Sequence, residues 1–533
     1  MARTVREVER KYEAVAGSGS PAPAALRAVT GTPGVAALEE RGDVVLDAVY
    51  HDTADRRLAA HGVTLRRRTG GDDQGWHLKL PVRAPGGGGS LIRDEIRAPL
   101  ADTVPGELLA LVRSRTRDAE LRPLIRLTTV RTVCHLLGTD GRRLAELAVD
   151  RVAAERMAGD PGPGFHWTEV EVELARGGDA GLLDRIESRL VAAGLRPAAT
   201  GSKLARALAE TDPDPAAQTA AAPGAAARAE PGSAGEVVLD YVRRQIAAIV
   251  ALDPAVRLDT PDAVHRMRVA TRRLRATFRS YRAVLDPAGT GPVADELKWL
   301  AAELGVDRDR EVRAARLVAA LERVPDTLRL GPVRARLRIW SQAERSGSRA
   351  RLLAVLDGAR YLALLTALDA LTADPPATAD GAPVLRPAAA RPARKVLRKA
   401  VRKDFARLTA RLAAAWEAPP GDDRDRALHE ARKSAKRVRY AAEAARPGLG
   451  DAAAGLAERI TEVQRLLGEH QDSVLARATL RDLAVQAHAA GESTFTFGLL
   501  YGREEAAAAA VERALPGLWR EVSGKEHRAA PEG

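Results

Sequence analysis

The sequence predicts a multidomain α+β protein, with a β-rich N-terminal part followed by an all-helical C-terminal part. At 533 residues the chain is long enough for two or more domains. Up to residue 210, short runs of alternating polarity are separated by Gly, Asp and Pro clusters, which is typical of antiparallel strands. From Ser233 onward, long segments follow the helical period instead. The Ala/Pro/Gly stretch from Asp212 to Ser233 has neither pattern and predicts a flexible linker.

The charge of the chain indicates where an anionic partner would bind. Of the net charge of +12, residues 1–210 contribute +2 and residues 211–533 contribute +10. The anion-attracting surface is therefore predicted in the helical part. Cys134 is the single cysteine, so no intrachain disulfide can form, which fits a reducing cytosol. No apolar run is long enough to span a bilayer and the first 30 residues lack a signal-peptide core, so we expect a cytoplasmic protein without a membrane partner.

The first predicted strand, Glu7-Val8-Glu9-Arg10-Lys11, carries charge on one face. Side chains alternate along a strand, so Glu7, Glu9 and Lys11 point the same way. Burying such a face in a dry core is costly, whereas a wet channel that binds a metal ion and an anion would suit it. The later run Glu169-Val170-Glu171-Val172-Glu173 places three carboxylates on one face in the same manner. The alternative for either segment is an edge strand with a solvated charged face.

Further predicted strands add cations to such a channel if the β-rich part closes into a barrel, because alternate residues then point inward. A hairpin is predicted at Asp140-Gly141, between two apolar runs. A cationic channel with a carboxylate cluster predicts a linear polyphosphate chelated to Mg²⁺ or Mn²⁺, since arginine and lysine take phosphate oxygens and carboxylates take hard cations. The residues assigned to this channel from the strand patterns are Arg66, Arg68, Lys79, Arg93, Glu95, Arg97, Arg126, Arg131, Glu146 and Asp150.

Residues 1–210 resemble the CYTH family, the triphosphate tunnel metalloenzymes. The resemblance rests on the Glu-x-Glu-x-Lys opening, Tyr50-His51-Asp52-Thr53, the Leu-Arg-x-Arg, Trp-x-Leu-Lys, Arg-x-Glu and late Glu-x-Glu strands, and Ser202-Lys203 at the start of a closing helix. It implies an eight-stranded antiparallel tunnel that hydrolyses or cyclises triphosphates with two metal ions.

The residue roles that this resemblance implies are expectations. Lys11, Lys79 and Arg66 would be catalytic. Metal ions would be held by Glu7, Glu9, Asp150, Glu169, Glu171 and Glu173. Which two of the last three contact metal directly stays open, with Glu169 and Glu171 favoured. Substrate would be bound by Lys11, Arg66, Arg68, Lys79, Arg93, Arg131 and Lys203.

The helical part contains an internal duplication. Val264-His265-Arg266-Met267-Arg268 matches Leu428-His429-Glu430-Ala431-Arg432 at an offset of 164, and Leu304-Gly305 matches Leu467-Gly468 at an offset of 163. A helix is predicted to begin at Thr260-Pro261-Asp262. Three- and four-residue spacing places basic residues on one face of each copy, although a single such stripe is also typical of a solvated surface. The residues are His265, Arg268, Arg272, Arg275, Arg279, His429, Arg432, Lys433, Lys436 and Arg439, with a third basic helix at 394–403.

This part resembles the CHAD family, the conserved histidine α-helical domain, over residues 236–515. The resemblance rests on the His-x-x-Arg opening and the Leu-Gly-x-x-x-Asp turn of that family, each of which occurs twice here. The resemblance implies two four-helix bundles related by a pseudo-twofold axis, with a basic central surface that binds inorganic polyphosphate. Metal binding by the histidines is disfavoured because no third ligand is evident, and nucleic acid is disfavoured as a specific partner because aromatic residues for base stacking are scarce. The expected domains are 1–210, a linker at 211–234, and 235–520 with halves at about 236–372 and 391–515.

Together these patterns predict a metal-dependent inorganic triphosphatase or polyphosphatase whose helical domain binds inorganic polyphosphate. Two alternatives stay open at this point. The tunnel could act on an organic triphosphate such as thiamine triphosphate or ATP, or cyclise a nucleotide. The protein could also be a non-enzymatic polyphosphate binder associated with polyphosphate granules. The oligomeric state cannot be deduced from the sequence.

Overall fold

The computed structural model describes residues 3–14, 28–82, 91–157, 164–211, 230–342, 345–373 and 375–528. Most of the predicted linker, 212–229, lies outside the described residues. The chain forms two units, Met1–Ala226 and Ala227–Gly533. Among the described helices, none combines the length and apolar character needed to cross a membrane.

The first unit is a closed antiparallel barrel, because β1 pairs with β8 on one side and with β5 on the other. The ring order is β5-β4-β3-β2-β6-β7-β8-β1, and the short β9 pairs with the end of β1. The predicted eight-stranded antiparallel tunnel is thereby confirmed. The strands are β1 (Arg3–Ala14), β2 (Ala37–Asp52), β3 (Thr64–Thr69), β4 (Gly75–Pro81), β5 (Leu91–Ala98), β6 (Arg122–Leu137), β7 (Arg143–Arg156), β8 (Phe165–Leu174) and β9 (Leu195–Pro197).

Two turns shape this barrel, and the first of them was predicted from the sequence. The Asp140-Gly141 turn joins β6 to β7, with Gly141 at a φ of 73° that favours glycine. After β2, the buried carboxylate of Asp52 accepts backbone N–H bonds from Thr53 at 2.7 Å and from Leu58 and Ala59, both at 2.9 Å. Asp52 thus satisfies donors at the start of the short helix α1 (Arg57–Ala60), and its role is to hold the turn.

The barrel carries its charged side chains inside and much of its apolar surface outside. Helix α2 (Gly106–Thr116) covers the outer face of β3–β5, where Trp76 and Leu78 are buried, and α3 (Gly181–Ala192) covers the outer face around β1, β7 and β8. Helix α4 (Lys203–Thr211) packs instead against inward-facing residues at one end, including Tyr50 and Trp167. An apolar seal therefore closes that end, and the polar interior is confined to the rest of the barrel.

The second unit is all-helical, as predicted. Its apolar clusters combine helices of both sequence copies, so the copies share their core. The α-helices are α5 (Ala234–Arg257), α6 (Ala263–Ser280), α7 (Pro287–Glu303), α8 (Val306–Glu322), α9 (Val333–Gln342), α10 (Arg345–Asp357), α11 (Ala359–Ala370), α12 (Ala393–Glu417), α13 (Asp422–Leu449), α14 (Asp451–Ala489) and α15 (Phe495–Arg528).

The duplication is visible in how the copies begin. The residues before α5 and α12 pair with each other: the Ala234 N–H donates to the Arg391 carbonyl at 2.9 Å, and the Ala393 N–H donates to the Gly232 carbonyl at 2.9 Å. This reciprocal exchange is what a local pseudo-twofold axis produces. Helices α7 and α14 also begin 164 residues apart, the offset read from the His-x-x-Arg motifs.

Two details of the helical prediction are wrong. Helix α6 begins at Ala263, and Thr260 lies in a preceding turn in which its carbonyl accepts the Ala263 N–H at 3.1 Å. The Leu-Gly motif forms a break in the first copy alone: Gly305 separates α7 from α8, whereas Gly468 lies within the continuous helix α14. Gly468 is tolerated there because the surrounding α14 is long and packed on both sides.

Candidate functional site

Strand register arranges the inner face of the barrel as opposed charges. Residues directly across antiparallel strands share a face, and Lys11 lies opposite Glu171 between β1 and β8. In the same way Arg131 lies opposite Asp150, and Lys79 lies opposite Glu95. The alternation read from the sequence therefore places cations and carboxylates as cross-strand neighbours around the interior.

An acidic cluster of Asp150, Glu169 and Glu171 is centred on one ammonium group. The Nζ atom of Lys203, at the start of α4, lies 2.7 Å from Asp150 Oδ2, 2.9 Å from Glu169 Oε1 and 2.5 Å from Glu171 Oε1. Lys11 also pairs with Glu171 and lies 3.7 Å from Glu169 Oε1. All five side chains are at least about nine-tenths buried, so the cluster is an electrostatic unit shielded from solvent.

The cations keep this cluster ionised despite its burial. Burial alone would raise the pKa of Glu169, but Lys203 and Lys11 outweigh it and lower that pKa to about 2. The same balance, with Lys203 and Arg131 as the cations, holds the pKa of Asp150 below its usual range. Burial in turn lowers the pKa of Lys11 to about 8, against the attraction of Glu9. Each group thus depends on its neighbours for its charge state.

Glu173 differs from the other two acids of β8. Burial and the nearby Glu7 raise its pKa to about 7, whereas Lys11, Lys79 and other cations overcome burial to lower the pKa of Glu9 to about 2. Glu173 lines the tunnel but lies outside the cluster formed by Glu169 and Glu171. The structure therefore brings together the favoured pair and sets Glu173 beside Glu7 and Glu9.

The predicted basic residues of the barrel also line or reach the interior. Arg66 Nη1 donates to the Tyr50 hydroxyl at 3.1 Å, and Arg68 pairs with Asp73 of the β3–β4 turn. Lys79 Nζ lies 2.5 Å from Glu7 Oε2. Arg93 and Arg131 reach the interior as well: Nη2 of Arg93 donates to the Gly201 carbonyl at 2.6 Å, and Arg131 makes a two-point contact with Asp150, each at 2.7 Å. One assignment is wrong: Arg126 lies on the outer surface and pairs with Asp47.

The tunnel has a volume of about 570 Å³. Among its described lining residues, ten are lysine or arginine and eight are aspartate or glutamate, so the lining is almost neutral. Sequence reasoning missed Asp73, which pairs with Arg68 and lies 3.7 Å from Arg97 Nη1, and His77, whose Nδ1 lies 2.9 Å from Glu95 Oε1. The alternation of β4 could have identified His77, because it shares a face with Lys79; a loop residue such as Asp73 has no such signal.

The helical unit contains a second cavity, of about 1150 Å³. Its described lining includes fourteen lysines and arginines but just two acids, Glu430 and Asp472, so it is strongly positive. The duplication brings the basic faces of α6 and α13 to this one cavity. The predicted residues that line it are His265, Arg268, Arg272, Arg275, Arg279, His429, Arg432, Lys433, Lys436 and Arg439.

Crowding among these cations affects their titration. Burial and the neighbouring Arg279 hold the pKa of Arg275 below its usual range. Burial also lowers the pKa of Arg437, with Arg407 adding to the effect and Asp404 opposing it. Such mutual repulsion is relieved when an anion binds between the cations.

His429 is held by a polar neighbour: its Nδ1 donates to Gln471 Oε1 at 2.5 Å, and burial lowers its pKa. A neutral imidazole with Nδ1 protonated leaves Nε2 as an acceptor. His429 therefore contributes a fixed polar group to the wall, while the arginines supply the charge.

Other helices complete this cavity with residues that sequence reasoning missed. Arg407 and Arg411 come from α12, and Arg313 and Arg316 come from α8. The basic stretch 394–403 of α12 was the sequence signal, but most of its cations are exposed to solvent. Basic residues in that stretch recur every four residues and end at Lys403. Arg407 and Arg411 continue the same spacing over the next two turns, where α12 reaches the cavity.

Known proteins share both units. The family model of the CYTH domain matches residues 6–207 and that of the CHAD domain matches residues 240–481. The uncharacterized protein MT2285 of Mycobacterium tuberculosis is 38% identical over 515 residues, which cover 93% of this chain and 92% of that protein.

Among solved structures, PptA from Streptomyces chartreusis is 22% identical with a TM-score of 0.45, covering 54% of this chain and 99% of its own. The CHAD domain from the plant Ricinus communis is 26% identical with a TM-score of 0.42, covering 56% and 93%. The chain therefore belongs to the CYTH–CHAD family, in which a triphosphate tunnel domain precedes a conserved histidine α-helical domain.

Proposed function

We propose that this protein is a metal-dependent inorganic triphosphatase or polyphosphatase, with phosphoanhydride hydrolysis in the CYTH tunnel and inorganic polyphosphate binding in the CHAD cavity. The observation that carries this proposal is the inner face of the barrel. There the buried cluster of Asp150, Glu169 and Glu171 lies beside inward-facing lysines and arginines. That combination suits a polyanion that arrives with a divalent cation.

The acidic groups fit Mg²⁺ or Mn²⁺. Oxygen atoms of Asp150, Glu169 and Glu171 lie within 4.8 Å of one another, and all donors are hard carboxylate oxygens. The buried atom Glu9 Oε1 also lacks a hydrogen bond, a costly condition that a cation would relieve. These residues, with Glu7, would hold the metal. When bound, it would polarise the phosphate chain and lower the pKa of a water molecule.

The chain's own cations would bind and orient the substrate. Arg66 and Arg68 come from β3, Arg93 from β5 and Arg131 from β6. They can therefore contact successive phosphates of a linear chain and neutralise charge on the leaving phosphate. In the structure each of these arginines contacts a carboxylate, carbonyl or hydroxyl group of the protein. Lys11 and Lys203 would exchange carboxylate partners for phosphate oxygens when metal takes over the acidic cluster.

The tunnel lining favours an inorganic substrate over a nucleotide or thiamine triphosphate. Among the described lining residues, Tyr50 and His135 carry the only aromatic rings, and the Arg66 guanidinium lies 5.9 Å from the centre of the Tyr50 ring. A nucleobase or thiazole ring would therefore find few stacking partners there.

Substrate comparison tests this proposal. Phosphate release from tripolyphosphate, long-chain polyphosphate, ATP and thiamine triphosphate is measured with Mg²⁺ and with Mn²⁺, and with EDTA as the metal-free control. We expect the inorganic substrates to be hydrolysed faster, and EDTA to abolish release. Faster release from thiamine triphosphate or ATP would assign the tunnel to organic triphosphates. No release under any condition would leave a binding protein and contradict the enzymatic proposal.

A further inference from the structure

The Leu-Gly motif of each helical copy lies against the arginine of that copy's His-x-x-Arg motif. A Cβ atom added to Gly305 would lie 3.0 Å from both Cζ and Nη2 of Arg268. The same atom added to Gly468 would lie 3.6 Å from Nη2 and 3.7 Å from Nε of Arg432. Both arginines line the cavity of the helical unit. Since the glycines are 163 residues apart and the arginines 164, the same contact is present in both copies.

We propose that Gly305 is a positioning residue for phosphate binding, because its missing side chain leaves the space in which the Arg268 guanidinium lies on the cavity wall. Gly468 provides the corresponding space for Arg432, with a wider gap. This inference rests on the proposed binding of inorganic polyphosphate in the cavity. It extends that proposal by assigning a role to a motif that carries no charge and does not itself line the cavity.

The backbone angles of Gly305 show that the turn itself does not require glycine at this position. Gly305 has φ −92° and ψ −22°, which any residue adopts. Glycine is therefore not required there by the turn. Ala301 O lies 3.2 Å from the added Cβ, which calls for a backbone adjustment of a few tenths of an ångström. The 3.0 Å contact falls on the flexible end of Arg268, so the guanidinium would move while the fold remains. Alanine also loses less conformational entropy than glycine on folding, so Gly305→Ala should keep or raise stability.

Binding of long-chain inorganic polyphosphate to the full-length protein tests the inference. Titrations in EDTA at several salt concentrations prevent hydrolysis and report the number of phosphate contacts. We expect Gly305→Ala to weaken binding about tenfold and to reduce the slope of log K against log[salt] by about one, the signature of one lost phosphate contact. The melting temperature should stay equal or rise. The matched control is Gly502→Ala on α15, where an added Cβ meets no atom within 4 Å, and binding should be unchanged.

A double-mutant cycle identifies Arg268 as the affected group. Arg268→Ala should weaken binding by itself, and Gly305→Ala should have no further effect in that background. At Gly468 the distances are those of ordinary contacts, so Gly468→Ala should weaken binding less than Gly305→Ala does. Gly468→Val, whose branches reach further towards Arg432, should weaken it more than Gly468→Ala.

The outcomes distinguish a failure of the positioning role of Gly305 from a failure of the proposed polyphosphate binding in the cavity. If the wild-type protein does not bind polyphosphate at low salt, the proposed function of the cavity fails. If the wild type binds and Gly305→Ala binds equally well, the positioning role alone is overturned. The role is also overturned if Gly305→Ala lowers the melting temperature clearly more than Gly502→Ala does, or if it weakens binding equally in the Arg268→Ala background.

Discussion

Replacing Lys203 with methionine should show how the acidic cluster of the tunnel is held together. The ammonium lies within 2.9 Å of oxygen atoms of Asp150, Glu169 and Glu171. Methionine keeps an unbranched apolar stem and removes the charge. The three buried carboxylates would then depend on Lys11 and Arg131, which already pair with Glu171 and Asp150. Glu169 loses its nearest cation.

The size of the effect follows from burial. Removing one partner of a buried ion pair typically costs about 3–5 kcal/mol. Because Lys11 and Arg131 remain, we expect the cost of Lys203→Met to lie near the lower end of this range. In the absence of metal, the substitution should lower the free energy of unfolding by about 3 kcal/mol. For a unit of this size, 1 kcal/mol lowers the melting temperature by roughly 2–4 °C, so the tunnel unit should melt roughly 6–12 °C lower.

The loss of stability in Lys203→Met should be larger at neutral pH than in acid. Lys203 and Lys11 lower the pKa of Glu169 to about 2, and the pKa of Asp150 is also depressed. A carboxylate with a lowered pKa stabilises the fold above its unfolded pKa of about 4 and loses that contribution as pH falls towards the folded pKa. The stability difference between wild type and Lys203→Met should therefore be complete at neutral pH. It should shrink between about pH 4 and pH 2.

Thermal unfolding of both proteins in EDTA and in Mn²⁺ measures these effects. Manganese should stabilise Lys203→Met more than the wild type, because the metal no longer competes with the ammonium for the same oxygens. Lys433→Met serves as control, since Lys433 is an exposed lysine paired with one exposed glutamate; its change should be small. An unchanged melting temperature of the tunnel unit in EDTA would refute the buried-cluster reasoning. Equal stabilisation of both proteins by manganese would refute the inference that the metal ion and the Lys203 ammonium compete for the same oxygen atoms.

The remaining predictions concern both sites. Glu9→Gln should lower hydrolysis of tripolyphosphate by about 10²-fold or more while the fold survives, comparable to the loss of one preorganised electrostatic contact; near-full activity at limiting metal would contradict a metal role. Arg66→Ala should raise KM for tripolyphosphate with little change in metal affinity, whereas the outward-facing Arg126→Ala should alter neither. Arg272→Ala and Lys436→Ala should each weaken polyphosphate binding, and together more so; displacement by DNA at equal phosphate concentration would show a generic polyanion surface.

The barrel was the most predictable part of the molecule because alternation is a strict rule. Once Glu7 and Glu9 were placed on one face, the same parity placed Lys11 inside and Arg10 outside, where Arg10 pairs with Asp184 and Glu187 of α3. The inward assignment of Arg126 was wrong because it did not follow this parity. Arg131 and Arg126 are five residues apart on β6, an odd number, so they face opposite sides of the sheet.

Contacts between distant segments could not be predicted in the same way. Lys203 reaches the acidic cluster because α4 closes one end of the barrel, and no local pattern specifies that packing. Arg316 enters the cavity beside residues from α13 through the packing of α8, where it pairs with Glu504 of α15. Periodicity identifies which face of a helix is charged. It does not identify which other helix the face will meet.

The two proposed anion sites differ in their electrostatic character. The tunnel lining is almost neutral, so a polyphosphate that enters alone would gain arginine contacts but would also face the buried carboxylates of the Glu169 cluster. A divalent cation on that cluster removes the repulsion and releases Lys11 and Lys203 for phosphate, so metal and substrate should enter the tunnel cooperatively. Among the described lining residues of the helical cavity there are fourteen cations and two acids. Polyphosphate would therefore need no metal ion to offset repulsion from carboxylates in that cavity. There a divalent cation would bind to the polymer itself and reduce its charge, and so oppose binding. If both sites bind polyphosphate as proposed, a rise in free metal should therefore favour its binding in the tunnel over its binding in the helical cavity.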